Sequence, residues 1–349
     1  MIRTFSSTIR RREMDAVLTC MVDEKIGPGD MNRRLVQSVK ESLGCDGALA
    51  LRTPDFALSL ALKALGVPAQ SEIILSALAP RWHYSAVQAA GYVPVVLDVS
   101  EENALIAPGA VEAAVQGGAR AIVLHETLGI LPDSAVLQDL DVPVIEDISH
   151  SYGAAYSAAA DGAGRPFFAG MAGSYAVMGL EERDIVTGGG GALLIAPKRR
   201  EWSALKPFAE ELSSTQILPD INCALAYIQM REFSRNEAVR KVFFAAYHQA
   251  SLAGRHRTFA READGAFTAY SFPLVLSGGF KDAKRFAERK EIEIRLAFED
   301  SIVALRNEEL SSRCITANSL YLRTVLFPLY PFLKQKQAET IAKTIGMLP

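Results

Sequence analysis

The sequence predicts an α/β fold, with a mostly parallel seven-stranded sheet flanked by helices and a smaller C-terminal α+β domain. Two observations carry this. Through the first two-thirds of the 349 residues, short and nearly continuous apolar runs alternate with helical patterns; strands of that kind are covered on both faces and joined by crossover helices. After about residue 220 the pattern changes to one long helical stretch, then a shorter mixture of strand-like and helical segments.

Seven strands are expected, at Ala48–Leu51, Glu72–Ser76, Pro94–Asp98, Ala121–His125, Val142–Asp147, Gly173–Val177 and Ala192–Ala196. Phe56–Leu65 and Pro108–Gln116 have helical spacing, and Arg12–Val22 reads as a helix leading into the turn Gly27-Pro28-Gly29. Asn222–Ala250 reads as one long helix, followed by a strand-like run at Ala269–Leu276, a helix at Lys281–Lys290, a second run at Glu291–Leu296 and a closing amphipathic helix at Lys334–Ile345. The predicted domains are 1–232 and 233–349; Ala158–Gly164 reads as a small-residue loop. Ligands of open α/β sheets sit at the carboxyl ends of the strands. Attention therefore falls on Arg52–Asp55, Ala77–His83, Asp147–His150 and Met178–Thr187.

Composition narrows the function. The chain is 49% hydrophobic and 22% charged, with a net charge of −3, which argues against a nucleic-acid surface. Cys20, Cys45, Cys223 and Cys314 are far apart, with no CxxC pair and no histidine at zinc-ligand spacing. Free thiols, a cytoplasmic location and no metal site are expected. The Arg- and Ser-rich N-terminus lacks the apolar region of a secretory signal, and no apolar run reaches 18 residues.

Taken in order, ALSLALKALG (Ala57–Gly66), AAGYVPVVLD (Ala89–Asp98), VIEDISHSYGAAY (Val144–Tyr156), IVTGGGGALLI (Ile185–Ile195) and LFPLY (Leu326–Tyr330) resemble the DegT/DnrJ/StrS family of sugar aminotransferases over nearly the whole chain. The resemblance implies pyridoxal-phosphate (PLP) fold type I, a PLP or pyridoxamine-phosphate (PMP) cofactor, a homodimer, and a role in nucleotide-sugar or polysaccharide biosynthesis. It also implies site residues. Asp147 would face the pyridine nitrogen, His150 would lie near the cofactor, and Ser174 would bind phosphate. Pro80 stands at the ring-stacking position, with Trp82 and His83 close enough to reach a ring or a substrate.

Several of the family's contacts have changed. Pro54-Asp55 stands where the family carries Gly-Thr in its phosphate cup. Pro54 has no N–H to offer, and Asp55 brings a carboxylate toward a phosphate site; like charges about 4 Å apart repel by roughly 1 to 4 kcal/mol. The Asp55 carboxylate is expected to fill that anion site itself, with Thr53 capping the helix. Gly189 replaces a glutamate, and Thr215 and Ile217 replace an Asn and an Arg lent by the partner subunit.

The largest departure is the missing Schiff-base lysine. Counting back from Gly188 puts Arg183 at its position, and counting forward from Ser174 puts Gly179 there. No lysine occurs between Lys63 and Lys198, and a guanidinium is no nucleophile. None of His83, His125, His150, His248 and His256 lies between Ser174 and Gly191, so the histidine-for-lysine exchange of related dehydratases is not seen either. Arg183 reads as a solvated charge or as a partner for Asp147. The expected function is an aminotransferase-like protein that does not transaminate by the lysine route. It would act as a binding or partner subunit, in a homodimer or a heteromer with an active relative, or with altered chemistry. The alternative is an active PLP- or PMP-dependent aminotransferase or dehydratase on a nucleotide sugar.

Overall fold

The structure is a computed structural model that describes residues 1–133, 137, 140–160, 166–261, 266–305 and 307–349. Its strands are β1 Gly47–Leu51, β2 Glu72–Ser76, β3 Val93–Leu97, β4 Ala121–His125, β5 Val144–Asp147, β6 Ala155–Ala160, β7 Pro166–Phe168, β8 Tyr175–Gly179, β9 Ala192–Ala196, β10 Phe272–Val275, β11 Arg295–Leu296 and β12 Thr324–Phe327. The helices are α1 Arg11–Val22, α2 Asp30–Leu43, α3 Pro54–Ala64, α4 Arg81–Ala89, α5 Pro108–Gln116, α6 Arg199–Glu210, α7 Asp220–Arg231, α8 Phe233–Ser251, α9 Phe280–Glu288, α10 Glu308–Arg313, α11 Ile315–Arg323 and α12 Gln335–Gly346.

The main sheet has the order β1-β9-β8-β5-β4-β2-β3. Only β9 is reversed, pairing antiparallel with both β1 and β8, while β8, β5, β4, β2 and β3 run parallel. Every residue of β4, β5, β8 and β9 is buried, as helices on both faces require. Leu58, Ala61 and Leu62 of α3 pack on one face with Leu205 of α6 and Leu320 of α11. Leu35 and Val39 of α2 cover the other face with Cys223 and Ala226 of α7.

The long helix expected at Asn222–Ala250 is two helices. Glu232 holds φ −89 and ψ −2 between them, and its carboxylate takes Arg12 at 2.6 Å and Arg235 at 2.5 Å. Beyond it, β10-β12-β11 form a three-stranded antiparallel sheet. Phe272 and Phe327 of that sheet bury against Phe243 and Tyr247 of α8 and Ile341 and Ile345 of α12. The strand expected over Glu291–Leu296 shrinks to its last two residues. Ala158–Ala160 end strand β6 rather than a loop, and residues 161–164 lie outside the described residues.

Residues 300–303 cross back onto the main sheet. Ile302 and Val303 donate their N–H groups to the carbonyls of Ala79 and Ala77. This crossing lays Asp300 and Ser301 over the carboxyl end of β2 and bounds the site described next.

Candidate functional site

The site lies where β2, β4, β5 and β8 end. Asp147 closes β5 and is fully buried, where a carboxylate is costly without partners. It has four. Its Oδ2 accepts from His83 Nε2 at 2.9 Å and His125 Nδ1 at 2.8 Å. Its Oδ1 accepts the Ser149 N–H at 3.1 Å and the Ser149 hydroxyl at 2.5 Å. Ser149 Oγ in turn accepts the Gly179 N–H at 2.8 Å, which ties β8 to the same carboxylate. Burial alone would push the Asp147 carboxyl up; the hydrogen bonds from His125 and His83 outweigh it and hold it well below its usual range.

Each histidine reaches this point from a different element. Pro80 precedes α4, whose first turn carries Trp82 and His83. The His83 imidazole is completely buried, and desolvation keeps it neutral by lowering its pKa. His125 is the last residue of β4 and stands beside Asp147 in the parallel register. His150 follows β5, 5.1 Å ring to ring from His125, and stacks on Tyr270 at 3.8 Å. Burial drops the His150 pKa to about 3, and its Nδ1 is buried with no hydrogen-bond partner among the described residues. Trp82 meets His83 edge to face at 4.1 Å.

Two connected hollows adjoin this cluster. One, of about 150 Å³, is lined by His125, His150, Arg183, Asp184 and Tyr270, and the other, of about 440 Å³, by Pro54, Trp82, His150 and Glu181. Asp184, half-buried between them, is pushed up to about 8 by loss of solvation, reinforced by the charges of Asp147 and Glu181. Its Oδ2 accepts the Glu181 N–H at 2.7 Å.

The structure brings together Asp147, His150, Trp82 and His83, and it separates the other predicted residues. Ser174 does not reach the site. It precedes β8 and donates its N–H to the Val144 carbonyl, while Val177 is the residue that pairs with Asp147. Three residues of strand, about 10 Å, lie between. Asp55 does not fill an anion site: it is exposed on the first turn of α3 and lines neither hollow. Thr53 is the N-cap, as expected, with its Oγ1 accepting the Phe56 N–H at 3.4 Å.

Arg183 does not pair with Asp147. It turns to Glu299 at 3.2 Å and Asp300 at 3.7 Å and remains half-exposed. Gly179, the other position counted for the lysine, is covered. A Cβ there would stand 2.3 Å from Asp184 Oδ2 and 3.0 Å from Ser149 Oγ. Among the described residues, neither hollow is lined by a lysine. The glycine run is needed for its backbone: Gly190 and Gly191 hold φ of 127 and 111, and a Cβ at Gly191 would lie 2.4 Å from Leu218.

Sequence reasoning missed His125, Asp184 and Tyr270. His125 was legible, since it is the last residue of an apolar run and strand ends carry ligand sites. Tyr270 arrives from a segment 120 residues after His150, and no local signal marks it. No metal site was expected, and none of the sequence spacings pointed to one. His83, His125 and Asp147 present three ligand-type atoms to one point, although the residues are 42 and 22 positions apart.

Comparison with known proteins gives a consistent picture. The model of the DegT/DnrJ/EryC1/StrS aminotransferase family matches residues 7–346. An L-glutamine:scyllo-inosose aminotransferase of Streptomyces griseus is 31% identical over 173 residues, spanning 48% of this chain but only 39% of that relative. Among solved structures, a provisionally assigned sugar aminotransferase of Streptococcus pneumoniae in its PLP form superposes with a TM-score of 0.85 at 14% identity, over 97% of this chain and 96% of that one. An aminotransferase from Psychrobacter cryohalolentis gives 0.84 at 18%, over 97% and 96%. A GDP-4-keto-6-deoxymannose-3-dehydratase variant with bound GDP-perosamine gives 0.83 at 14%, over 99% and 100%.

Proposed function

The chain belongs to the DegT/DnrJ/EryC1/StrS aminotransferase family, and we propose that it is a member without lysine-based transamination, whose pocket has been rebuilt around histidine. One observation carries the reading. The carboxylate that would face a cofactor ring nitrogen is already fully engaged: His83 and His125 take Oδ2, and Ser149 takes Oδ1. On this reading the His83 imidazole competes with a pyridine nitrogen for Oδ2.

Further support comes from the chain itself. PLP held as an aldimine needs a lysine amine, an acid free to meet the ring and an anchor for phosphate. No lysine occurs from residue 64 to residue 197. Ser174 lies at the far end of its strand, and α3 opens with Pro54. These residues do not fit an aldimine-held PLP, and no step through that group is derived.

The ligand this reading favours is a small polar molecule of the kind the family handles, a sugar or sugar nucleotide. His125, His150, Arg183 and Asp184 offer hydrogen bonds and a positive charge around the hollows. The test mixes the purified chain with PLP, desalts it and records its absorbance beside an active family member. No retained cofactor is expected. A stable aldimine band, or transfer of an amino group to a keto sugar, would overturn the reading.

A further inference from the structure

Three side chains that sequence spacing did not join have the donor set of a metal centre. His83 Nε2, His125 Nδ1 and Asp147 Oδ2 lie within 4.8 Å of one another. The three residues are 0%, 3% and 1% exposed. Two imidazoles and one carboxylate oxygen suit a divalent first-row transition ion. Ligating carboxylates are usually steadied by outer partners. Asp147 has that support, because Ser149 holds Oδ1 through both its N–H and its hydroxyl and leaves Oδ2 turned to the histidines.

We propose that His83, His125 and Asp147 bind one divalent transition-metal ion, with Zn²⁺ as the reference ion and its open coordination position facing the hollow that His125 and His150 line. The inference rests on the reading that no cofactor ring claims Asp147. His150 lies beside the three, its ring 5.1 Å from that of His125 and its Nδ1 buried with no hydrogen-bond partner among the described residues. Ligands about 2.1 Å from a tetrahedral zinc stand roughly 3.4 Å apart, so the contacts of 2.8 and 2.9 Å open by about half an ångström while the two imidazole nitrogens, within 4.8 Å of each other, draw together. The proton each imidazole shares with Asp147 moves to the other nitrogen of its ring. An ion held there would polarise a carbonyl or hydroxyl oxygen of a ligand in the hollow.

The competing account is a triad held by hydrogen bonds alone, and the experiment separates the two. Metal-free chain is titrated with Zn²⁺ by calorimetry and with Co²⁺ by visible absorption, and the PLP absorbance of the same sample is recorded. The expected result is one Zn²⁺ per chain and cobalt ligand-field bands. Both should weaken by roughly 100-fold or more in His125→Asn, beyond the loss of an outer partner. They should be unchanged in His248→Asn, which alters an exposed histidine of α8. If His125→Asn does not fold, histidine nitrogen-15 spectra of the unaltered chain decide, because ligation must shift the two ligating histidines of the five. No stoichiometric uptake, uptake untouched by His125→Asn, or unmoved histidine resonances would leave only the hydrogen-bonded triad and overturn the inference. Retained PLP beside normal Zn²⁺ uptake would count against the proposed function alone.

Discussion

Two buried acid clusters sit back to back where β4 and β5 end, and they solve the same problem in opposite ways. On one face, Asp147 stays charged because two imidazoles and Ser149 surround it. On the other, Glu126 and Glu146 are both fully buried and share the Tyr156 hydroxyl, at 3.1 and 3.0 Å. Glu146 also accepts the N–H groups of Gly170 at 2.9 Å and Gly173 at 2.6 Å, and the Ser151 hydroxyl donates to Glu126. Burial, then repulsion from Glu146, pushes the Glu126 carboxyl well above its ordinary range, so it keeps its proton. One cluster holds a charge beside a cavity; the other removes a charge and closes the protein behind it. Strand alternation makes this division, since neighbouring residues of β5 face opposite sides.

The largest test of the contrast is Asp147→Ala. It strips His83 and His125 of their acceptor and leaves the Ser149 donors unmatched. Breaking a buried charged network of this kind costs about 3–5 kcal/mol, to be read from urea unfolding of the metal-free chain. A loss under about 1 kcal/mol would mean the triad is not held by its carboxylate.

The second test uses pH and Asp184. Its folded pKa of about 8 stands above the ordinary 3.8, so the folded state holds a proton that the unfolded chain has released. The stabilising contribution is complete below about 4 and is lost as pH rises toward about 8. Thermal midpoints of the native chain should therefore decline across that window more steeply than those of Asp184→Asn. Parallel curves would place the Asp184 carboxyl in open solvent.

The contrast also explains what the sequence could reveal. The sheet was legible because each strand is an apolar run with its own local signature, and β2 and β4 fall where the runs begin and end. Thr53 was legible for the same reason, since an N-cap is a matter of adjacent residues. The helix break at Glu232 was not, because Arg12, which holds its carboxylate, comes from the first helix of the chain. Ser174 was assigned by its match to the family's phosphate serine, and strand register, a tertiary property, sets it three residues before the residue that pairs with Asp147. Asp147 could be singled out as a costly buried acid, but the histidines that satisfy it come from the first turn of α4 and the end of β4. The absence of lysine was plain in the sequence; that Asp184 covers Gly179 depends on the fold.

A smaller effect is expected on the other face of β5. Glu126→Gln replaces a carboxyl that already carries a proton by a group of similar shape that still donates and accepts. Its stability should stay within about 1 kcal/mol of the native chain. A loss near that of Asp147→Ala would show that Glu126 is ionised and that the two clusters are alike.

The smallest effect should follow Asp55→Ala. The residue is exposed on the first turn of α3, and its carboxylate interacts chiefly with the helix dipole, worth about 0.3–1 kcal/mol at such a site. A few tenths of a kcal/mol of stability should be lost, with Zn²⁺ uptake and the response to PLP unchanged. The substitution removes the negative charge that the sequence placed in a phosphate cup. If Asp55→Ala let the chain retain PLP through desalting, that charge would be the barrier to the cofactor, and the saturated Asp147 would not. Unchanged behaviour would leave the barrier at the end of β5, where His83 meets the carboxylate.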